Sequence, residues 1–267
     1  MQEMVISERD YQYLYKMIYD ASGINLHEGK KELLKAKIAK RLRATRIPNA
    51  KEYLNTIKSD EMEFAEFIDT VTTNHTYFFR ENTGCEYLVD LLAPKFVNTR
   101  PIKIWCGASS TGEEPYSVTV QFLEKGYDVQ LIATDLSHTV LAKAKQGIFH
   151  EKRAENVPVN ILHKYFQKGR NNRKELIKIK DFVKKHVSFR KFNLLIDNPS
   201  DEYFDIIFCR NVLIYFDDPT SELVVNKLCS RLSPGGYFLV GHSESLMNLK
   251  HPLTAVRKVS GTYLKSI

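Results

Sequence analysis

The chain has 267 residues, 43% of them hydrophobic and 27% charged, and a net charge of +7. This length leaves room for about two domains and a sizeable core, which excludes a disulfide-stapled miniprotein, and the composition excludes wholesale disorder and a collagen-like repeat. No stretch approaches the roughly 18 apolar residues of a spanning helix, and MQEMVISERDYQYLYK lacks the apolar core of a signal peptide, so a cytoplasmic protein without membrane insertion is expected.

Up to about residue 72 the pattern is helical. DYQYLYKMIYDASG, a basic stretch over about 30–46, AKEYLNTIKSD and EMEFAEFIDTVTT each repeat apolar residues at three-to-four spacing, which predicts a small all-helical N-terminal domain over 1–72. In the basic stretch, Leu34, Ile38 and Leu42 form the apolar stripe, Lys30, Lys37 and Arg41 lie on other faces, and Pro48 helps to stop the helix. Residues 28–48 carry eight basic and two acidic side chains. Such a face is either a solvated surface or an electrostatic contact for an acidic partner, protein or nucleic acid, and spacing alone does not separate the two. A linker and connecting helix are expected over 73–100.

From Ile102 onward the short runs IKIWC, VQLIATD, VSFRKFN, FDIIFCRN and YFLVGHS alternate with helical segments. That alternation predicts an α/β domain over 101–267, a parallel sheet with helices on its faces. VRKVSGTYLKSI reads as a closing hairpin that adds an antiparallel edge strand. Residues 150–190 interrupt the alternation: ELIKIKDFVKKHVSF alternates like a strand beside the polar run QKGRNNRKE, which predicts a small β insertion over about 160–190. It coincides with a second basic patch, 150–191, holding 13 basic and four acidic residues. Cys85, Cys106, Cys209 and Cys229 are widely spaced without a Cys-x-x-Cys pair, so buried free thiols are expected rather than disulfides or zinc.

The first strand runs into GASSTGEEPYSVTVQFLEKG, a glycine-containing turn and a helix, the topological place for a nucleotide or nucleoside ligand. It is not a phosphate-binding P-loop, because Glu113 follows Gly112 where that motif needs lysine, and Gly107 and Gly112 are wrongly spaced for the dinucleotide fingerprint. Asp135 ends the second strand, 23 residues after Gly112, where a carboxylate can accept hydrogen bonds from both hydroxyls of a ribose. Glu113, Glu114 and Asp135 together suit S-adenosylmethionine, which carries an ammonium and a sulfonium but no phosphate. The alternative is that both glutamates simply favour a helix N-terminus and Asp135 ends a strand. GHSES lacks the last glycine of a nucleophile elbow, no H-E-x-x-H is present, and DNPS lacks the second proline and the aromatic with which amino-directed nucleic-acid methyltransferases hold a base.

Five ordered segments, TTNHTYFFRE (72–81), IWCGASSTGEEPYS (104–117), ATDLSHTVLAKAKQGIF (133–149), FDIIFCRNVLIYFD (204–217) and LSPGGYFLVGHSESL (232–246), together resemble the chemotaxis receptor methyltransferase (CheR) family. The resemblance implies a Rossmann-like methyltransferase domain with an all-helical N-terminal domain and a small β subdomain. It implies methyl transfer from S-adenosylmethionine to receptor glutamates in chemotactic adaptation, leaving S-adenosylhomocysteine and requiring no metal. Carried over to this chain, it implies that Asn74, Thr76 and Arg80 contact the cofactor from the linker, that Glu114 and with it Glu113 meet the methionine end, and that Asp135 meets the ribose. Asn193 and Leu194 then border the adenine, Arg210 and Asn211 line the pocket after the fourth strand, and Tyr215 stands in the reaction pocket. Arg80 either orients the incoming carboxylate, as a catalytic group beside Tyr215, or holds the carboxylate of the cofactor. Each residue also has a plainer reading: Asn74 and Thr76 can cap a helix, Arg210 can form a structural ion pair, and Tyr215 can be core.

A glutamate side chain, with a pKa near about 4.3, is ionised at neutral pH and needs no general base, so the absence of an evident catalytic His or Cys fits this chemistry. In the family the basic N-terminal helix is expected to dock on acidic methylation helices of the receptors. One departure concerns the β subdomain, whose loop is glycine-rich in members that tether to a C-terminal receptor peptide: QKGRNNRKE has only Gly169 and four basic residues, which argues against tethering. Two other functions compete, an S-adenosylmethionine-dependent enzyme acting on RNA, suggested by the charge of 150–191, and a non-catalytic cofactor-binding scaffold. Nothing in the sequence demands more than a monomer.

Overall fold

The computed structural model describes residues 7–26, 31–72, 75–92, 100–256, 259 and 261–265. The N-terminal part is four helices, α1 (Glu8–Ser22), α2 (Lys31–Thr45), α3 (Ala50–Ser59) and α4 (Glu61–Val71). Their starts follow from local chemistry: the Ser7, Asn49 and Asp60 side chains accept hydrogen bonds from first-turn N–H groups of α1, α3 and α4. Gly23, at φ 74°, ends α1 in the left-handed conformation that glycine adopts without a Cβ clash. Leu14 and Ile18 of α1, Leu34 and Ile38 of α2, Tyr53 of α3 and Phe67 of α4 are buried in one core, the apolar stripe of each helix facing the others.

Helix α5 (Thr83–Leu92) leads into the α/β domain. There β1 (Ile102–Gly107), α6 (Glu113–Glu124), β2 (Val129–Asp135) and α7 (His138–Gln146) alternate as expected. A small insertion follows, made of β3 (Ile148–His150), α8 (Val159–Tyr165), β4 (Phe166–Lys168), β5 (Leu176–Ile179) and the short helix α9 (Asp181–Lys184). The chain then returns to the main sheet through β6 (Val187–Lys191), β7 (Phe204–Cys209), α10 (Asp218–Cys229), β8 (Leu232–Leu239), β9 (Leu253–Ala255) and β10 (Thr262–Lys265).

The main sheet has the order β6-β2-β1-β7-β8-β10-β9. Its first five strands are parallel, and β10 runs antiparallel to both β8 and β9. Every residue of FDIIFC in β7 is buried, as a central strand covered on both faces requires. The strand order reverses between β1 and β7, which opens a crevice at the carboxyl ends of the strands. All four cysteines are buried free thiols. No helix among the described residues is long and apolar enough to cross a membrane.

Two boundaries differ from the sequence reading. The small sheet, ordered β3-β5-β4, begins at Ile148 rather than near 160, and of ELIKIKDFVKKHVSF only Leu176–Ile179 belongs to it. Val187–Lys191 pairs in parallel with β2 at the margin of the main sheet, as the run VSFRKFN implied, so the strand-like stretch ELIKIKDFVKKHVSF divides between the two sheets. In the tail, β10 lies between β8 and β9, so the edge is Leu253–Ala255 and the hairpin reaches back beyond Val256.

Candidate active site

The crevice is shaped first by the turn after β1. Ala108 and Ser110 adopt positive φ (55° and 49°), and Gly112 (φ 95°) lies so close to α7 that a Cβ would stand 2.9 Å from the Ala144 Cβ. The turn is anchored on Asp135 at the end of β2, whose Oδ2 accepts the Ser110 N–H at 2.8 Å and whose Oδ1 accepts the Ser137 N–H at 3.0 Å. Burial pushes the Asp135 carboxyl above its usual range, against the pull of these N–H donors. Ser109, 2% exposed, lines the same wall, and its buried Oγ has no hydrogen-bond partner among the described residues.

Across the crevice, after β7, stands Arg210. Its guanidinium pairs with Glu114 through Nη1, and its Nη2 donates to the Arg80 and Glu81 carbonyls at 3.1 and 2.9 Å and to Glu81 Oε2 at 3.1 Å. Glu81 also accepts from Asn211 Nδ2 at 3.3 Å and from the His242 N–H at 2.9 Å. Burial alone would raise its pKa, but the His242 N–H, the Arg210 charge and the Asn211 amide outweigh it and hold Glu81 below the usual carboxylate range. Burial raises the Glu114 carboxyl despite Arg210. Asn211, at φ 57°, is fixed by Glu244, whose carboxylate accepts the N–H groups of Asn211, Val212, Ile214 and Gly241.

One cavity between the helical domain and the sheet gathers most of the residues singled out from sequence. Thr76 and Arg80 reach it from the linker, Glu114 from the start of α6 and Asp135 from the end of β2. Asn193 and Leu194 line it after β6, and Arg210, Asn211 and Tyr215 line it after β7. Asn193 has a structural role besides, since its Nδ2 donates to Ala21 O at 2.7 Å and so ties the helical domain down. Glu113 is not part of the cavity wall, which corrects its expected place at the methionine end. Its carboxylate turns to Thr111 Oγ1 at 2.6 Å and Arg153 Nη1 at 3.0 Å, because successive helical residues point about 100° apart and only one of the two glutamates can face the crevice. Asn74 lies outside the described residues.

Sequence reasoning passed over Glu81, Glu244 and Ser109, although each lies inside a quoted motif. It also missed the helical domain's share of the wall, Ser22, Ile24, Leu33 and Val71. A residue such as Leu33, exposed on a basic helix, carries no local sign that it borders a cavity formed with another domain.

The donor set fits a nucleoside that carries cationic groups and no phosphate. Glu114 and Asp135 face a cavity with no phosphate-binding loop, beside Arg80 and Arg210. Among the described residues no group of three or more His, Cys, Asp or Glu could hold a metal ion. Counting only its own strands, the main sheet is ordered 3-2-1-4-5-7-6, and with the crevice lined by Glu114 and Asp135 at its switch point it has the architecture of an S-adenosylmethionine-dependent methyltransferase. Residues 74–261 match the family described as CheR methyltransferase, SAM binding domain, and residues 9–72 match CheR methyltransferase, all-alpha domain. The chain therefore belongs to the CheR methyltransferase family. It is 35% identical over 271 residues to the chemotaxis protein methyltransferase of Borreliella burgdorferi, with 95% of each chain covered. It is 34% identical over 260 residues to chemotaxis protein methyltransferase 2 of Pseudomonas aeruginosa, covering 96% of this chain and 93% of that one. The chemotaxis protein methyltransferase of Escherichia coli is 30% identical over 264 residues, covering 95% of this chain and 90% of that one.

Proposed function

We propose that this chain transfers methyl groups from S-adenosylmethionine to glutamate side chains on the cytoplasmic methylation helices of chemoreceptors, forming methyl esters. The observation that carries this reading is the cavity itself, which brings Arg80, Glu114, Asp135 and Arg210 together directly beside the basic helix α2. When bound, S-adenosylmethionine supplies a sulfonium-activated methyl carbon that an ionised glutamate can attack without giving up a proton. Asp135 keeps lone pairs for the ribose hydroxyls, since its two backbone donors leave about half of its acceptor capacity unused. Glu114 offsets the ammonium at the methionine end, and Arg210 holds Glu114 in place. Asn193 and Leu194 border the adenine. Arg80, held by its Nη1 bond to His75 O at 3.0 Å, presents a guanidinium to the incoming carboxylate, and Tyr215 closes the same pocket. These groups align and partly desolvate the reactants, which is all that such a transfer requires.

Helix α2 supplies the docking face. Leu33 lines the cavity, and Lys37 and Lys40 follow it on the same side of the helix at spacings of four and seven. Arg41 is taken up by Glu63 and Glu66, and Lys31 and Lys35 by Glu8 and Glu32, but Lys40 and Arg43 are exposed with no ion-pair partner among the described residues. The double reversal Lys40→Glu with Arg43→Glu is expected to raise KM for a receptor cytoplasmic fragment about tenfold and to flatten its salt dependence. Affinity for S-adenosylhomocysteine stays as in wild type. The assay is transfer of tritiated methyl groups released as methanol by mild alkali, and an unchanged KM would remove α2 from the interface.

Binding also depends on pH. The ligand's hydroxyls favour ionised Asp135, whose pKa in the free protein is raised by burial. Acidification therefore protonates Asp135 at a higher pH than an ordinary aspartate and weakens S-adenosylhomocysteine binding progressively as that protonation proceeds. Calorimetric titration from neutral pH down to the acid limit of the folded protein checks the direction, and affinity that is flat or rises on acidification would contradict it.

A further inference from the structure

The small β insertion touches the linker that carries Arg80. Phe78 of the linker is fully buried, edge-on to Phe149 of β3 at 4.9 Å and to Phe166 of β4 at 5.0 Å. Its N–H donates to the Arg153 carbonyl at 2.9 Å, and the next N–H, of Phe79, donates to Ser117 Oγ on α6 at 2.9 Å. Arg153 lies in the single 3-10 turn Glu151–Ala154 that follows β3. Its Nη1 donates both to the Thr76 carbonyl and to Glu113 Oε1, the latter at 3.0 Å. Glu113 is 1% exposed, so this cation pairs with a buried carboxylate on the helix that presents Glu114 to the cavity.

Phe79 and Glu81 both have positive φ, 60° and 48°, and Arg80 stands between them. Bulky residues keep such conformations only where surrounding contacts over-determine them. Those contacts come from two sides: Arg210 holds the Arg80 and Glu81 carbonyls from the crevice, and Arg153 with the phenylalanine cluster holds Thr76 and Phe78 from the insertion.

We infer that Arg153 is a positioning residue for methyl transfer, fixing both the Arg80-bearing linker and the N-terminus of α6 so that the β insertion is part of the cofactor site. It rests on the reading that the cavity takes S-adenosylmethionine. Arg153 does not itself line the cavity and acts through Thr76, Glu113 and the linker.

The test uses the full chain with Arg153→Ala, Arg153→Lys and Glu113→Gln. Arg153→Ala is expected to weaken S-adenosylhomocysteine binding and to lower kcat, each about tenfold or more, while KM for the receptor fragment stays close to wild type. Arg153→Lys recovers part of the loss, since an ammonium can serve Glu113 or the Thr76 carbonyl but lacks the planar fork. Adding Glu113→Gln to Arg153→Ala costs little more, because the two act as one unit. A folded Arg153→Ala variant with wild-type ligand affinity and kcat, or one that loses only thermal stability, would overturn the inference. If Arg153→Ala does not fold, the near-isosteric Glu113→Gln decides alone: a lower kcat with weaker ligand binding supports the inference, and wild-type values for both reject it. The wild-type titration separates this inference from the reading beneath it, since a wild type that fails to bind S-adenosylhomocysteine faults the cofactor reading first.

Discussion

Asp135→Ala is expected to abolish calorimetrically detectable binding of S-adenosylhomocysteine. Asp135 is 8% exposed at the carboxyl end of β2, and its carboxylate anchors the turn after β1 as well as facing the cavity. Hydrogen bonds to an ionised acceptor contribute about 1.5–3 kcal/mol each, so losing both ribose contacts weakens binding about a hundredfold or more. The substitution also strips the Ser110 and Ser137 N–H groups of their acceptor, which loosens the turn itself. Asp135→Asn retains one oxygen acceptor and the side-chain shape, and falls between the two. An Asp135→Ala protein that binds within about threefold of wild type would remove this residue from the cofactor site.

Arg210→Ala carries the largest expected loss of stability. The side chain is 7% exposed and pairs with two carboxylates that are themselves largely buried. Removing one partner of a buried ion pair leaves an uncompensated charge and costs about 3–5 kcal/mol, which for a chain of this size lowers Tm by about 5–15 °C. The loss also changes the response to pH. Glu81, with its pKa depressed in the folded wild type, contributes stability above the ordinary carboxylate range that disappears as pH falls through its folded value. With Arg210 gone, that depression shrinks, so the difference in stability between wild type and variant narrows on acidification. Thermal unfolding of both proteins at neutral and mildly acidic pH measures it. A Tm within about 2 °C of wild type at neutral pH would mean that the pair carries no structural weight.

What the sequence made legible was mostly local. The apolar stripes of the first four helices are written in neighbouring residues, as are the strand-like runs of the α/β domain, of which FDIIFC proves to be covered on both faces. The turn with Glu114 and the acid ending β2 were legible because spacing along one strand–turn–helix unit fixes where those side chains emerge. Glu113 was misplaced because adjacency in sequence hides the helical rotation that turns it toward Arg153, a residue 40 positions away. Glu244 was passed over for a similar reason: its role is to accept four backbone N–H groups across two loops, and GHSES carries no sign of that partner set. The contribution of Leu33 and Val71 to the cavity depends on how the helical domain seats on the sheet, through Tyr19 on Asp217 at 2.8 Å and Asn193 on Ala21, and no pattern within either domain encodes that seating. The β insertion was legible as an interruption, but Val187–Lys191 could join either sheet until β2 claimed it.

Methyl ester formation on receptor glutamates is tested by peptide mapping of the turnover product. Purified protein is incubated with S-adenosylmethionine and a receptor cytoplasmic fragment, and the digested fragment is examined by tandem mass spectrometry before and after mild alkali. The expected result is a single added methylene on glutamate side chains within acidic helical segments, absent in the Asp135→Ala reaction and removed by alkali. Methylation that survives alkali, that falls on other residue types, or that is absent from the fragment while the same protein binds S-adenosylhomocysteine would contradict it.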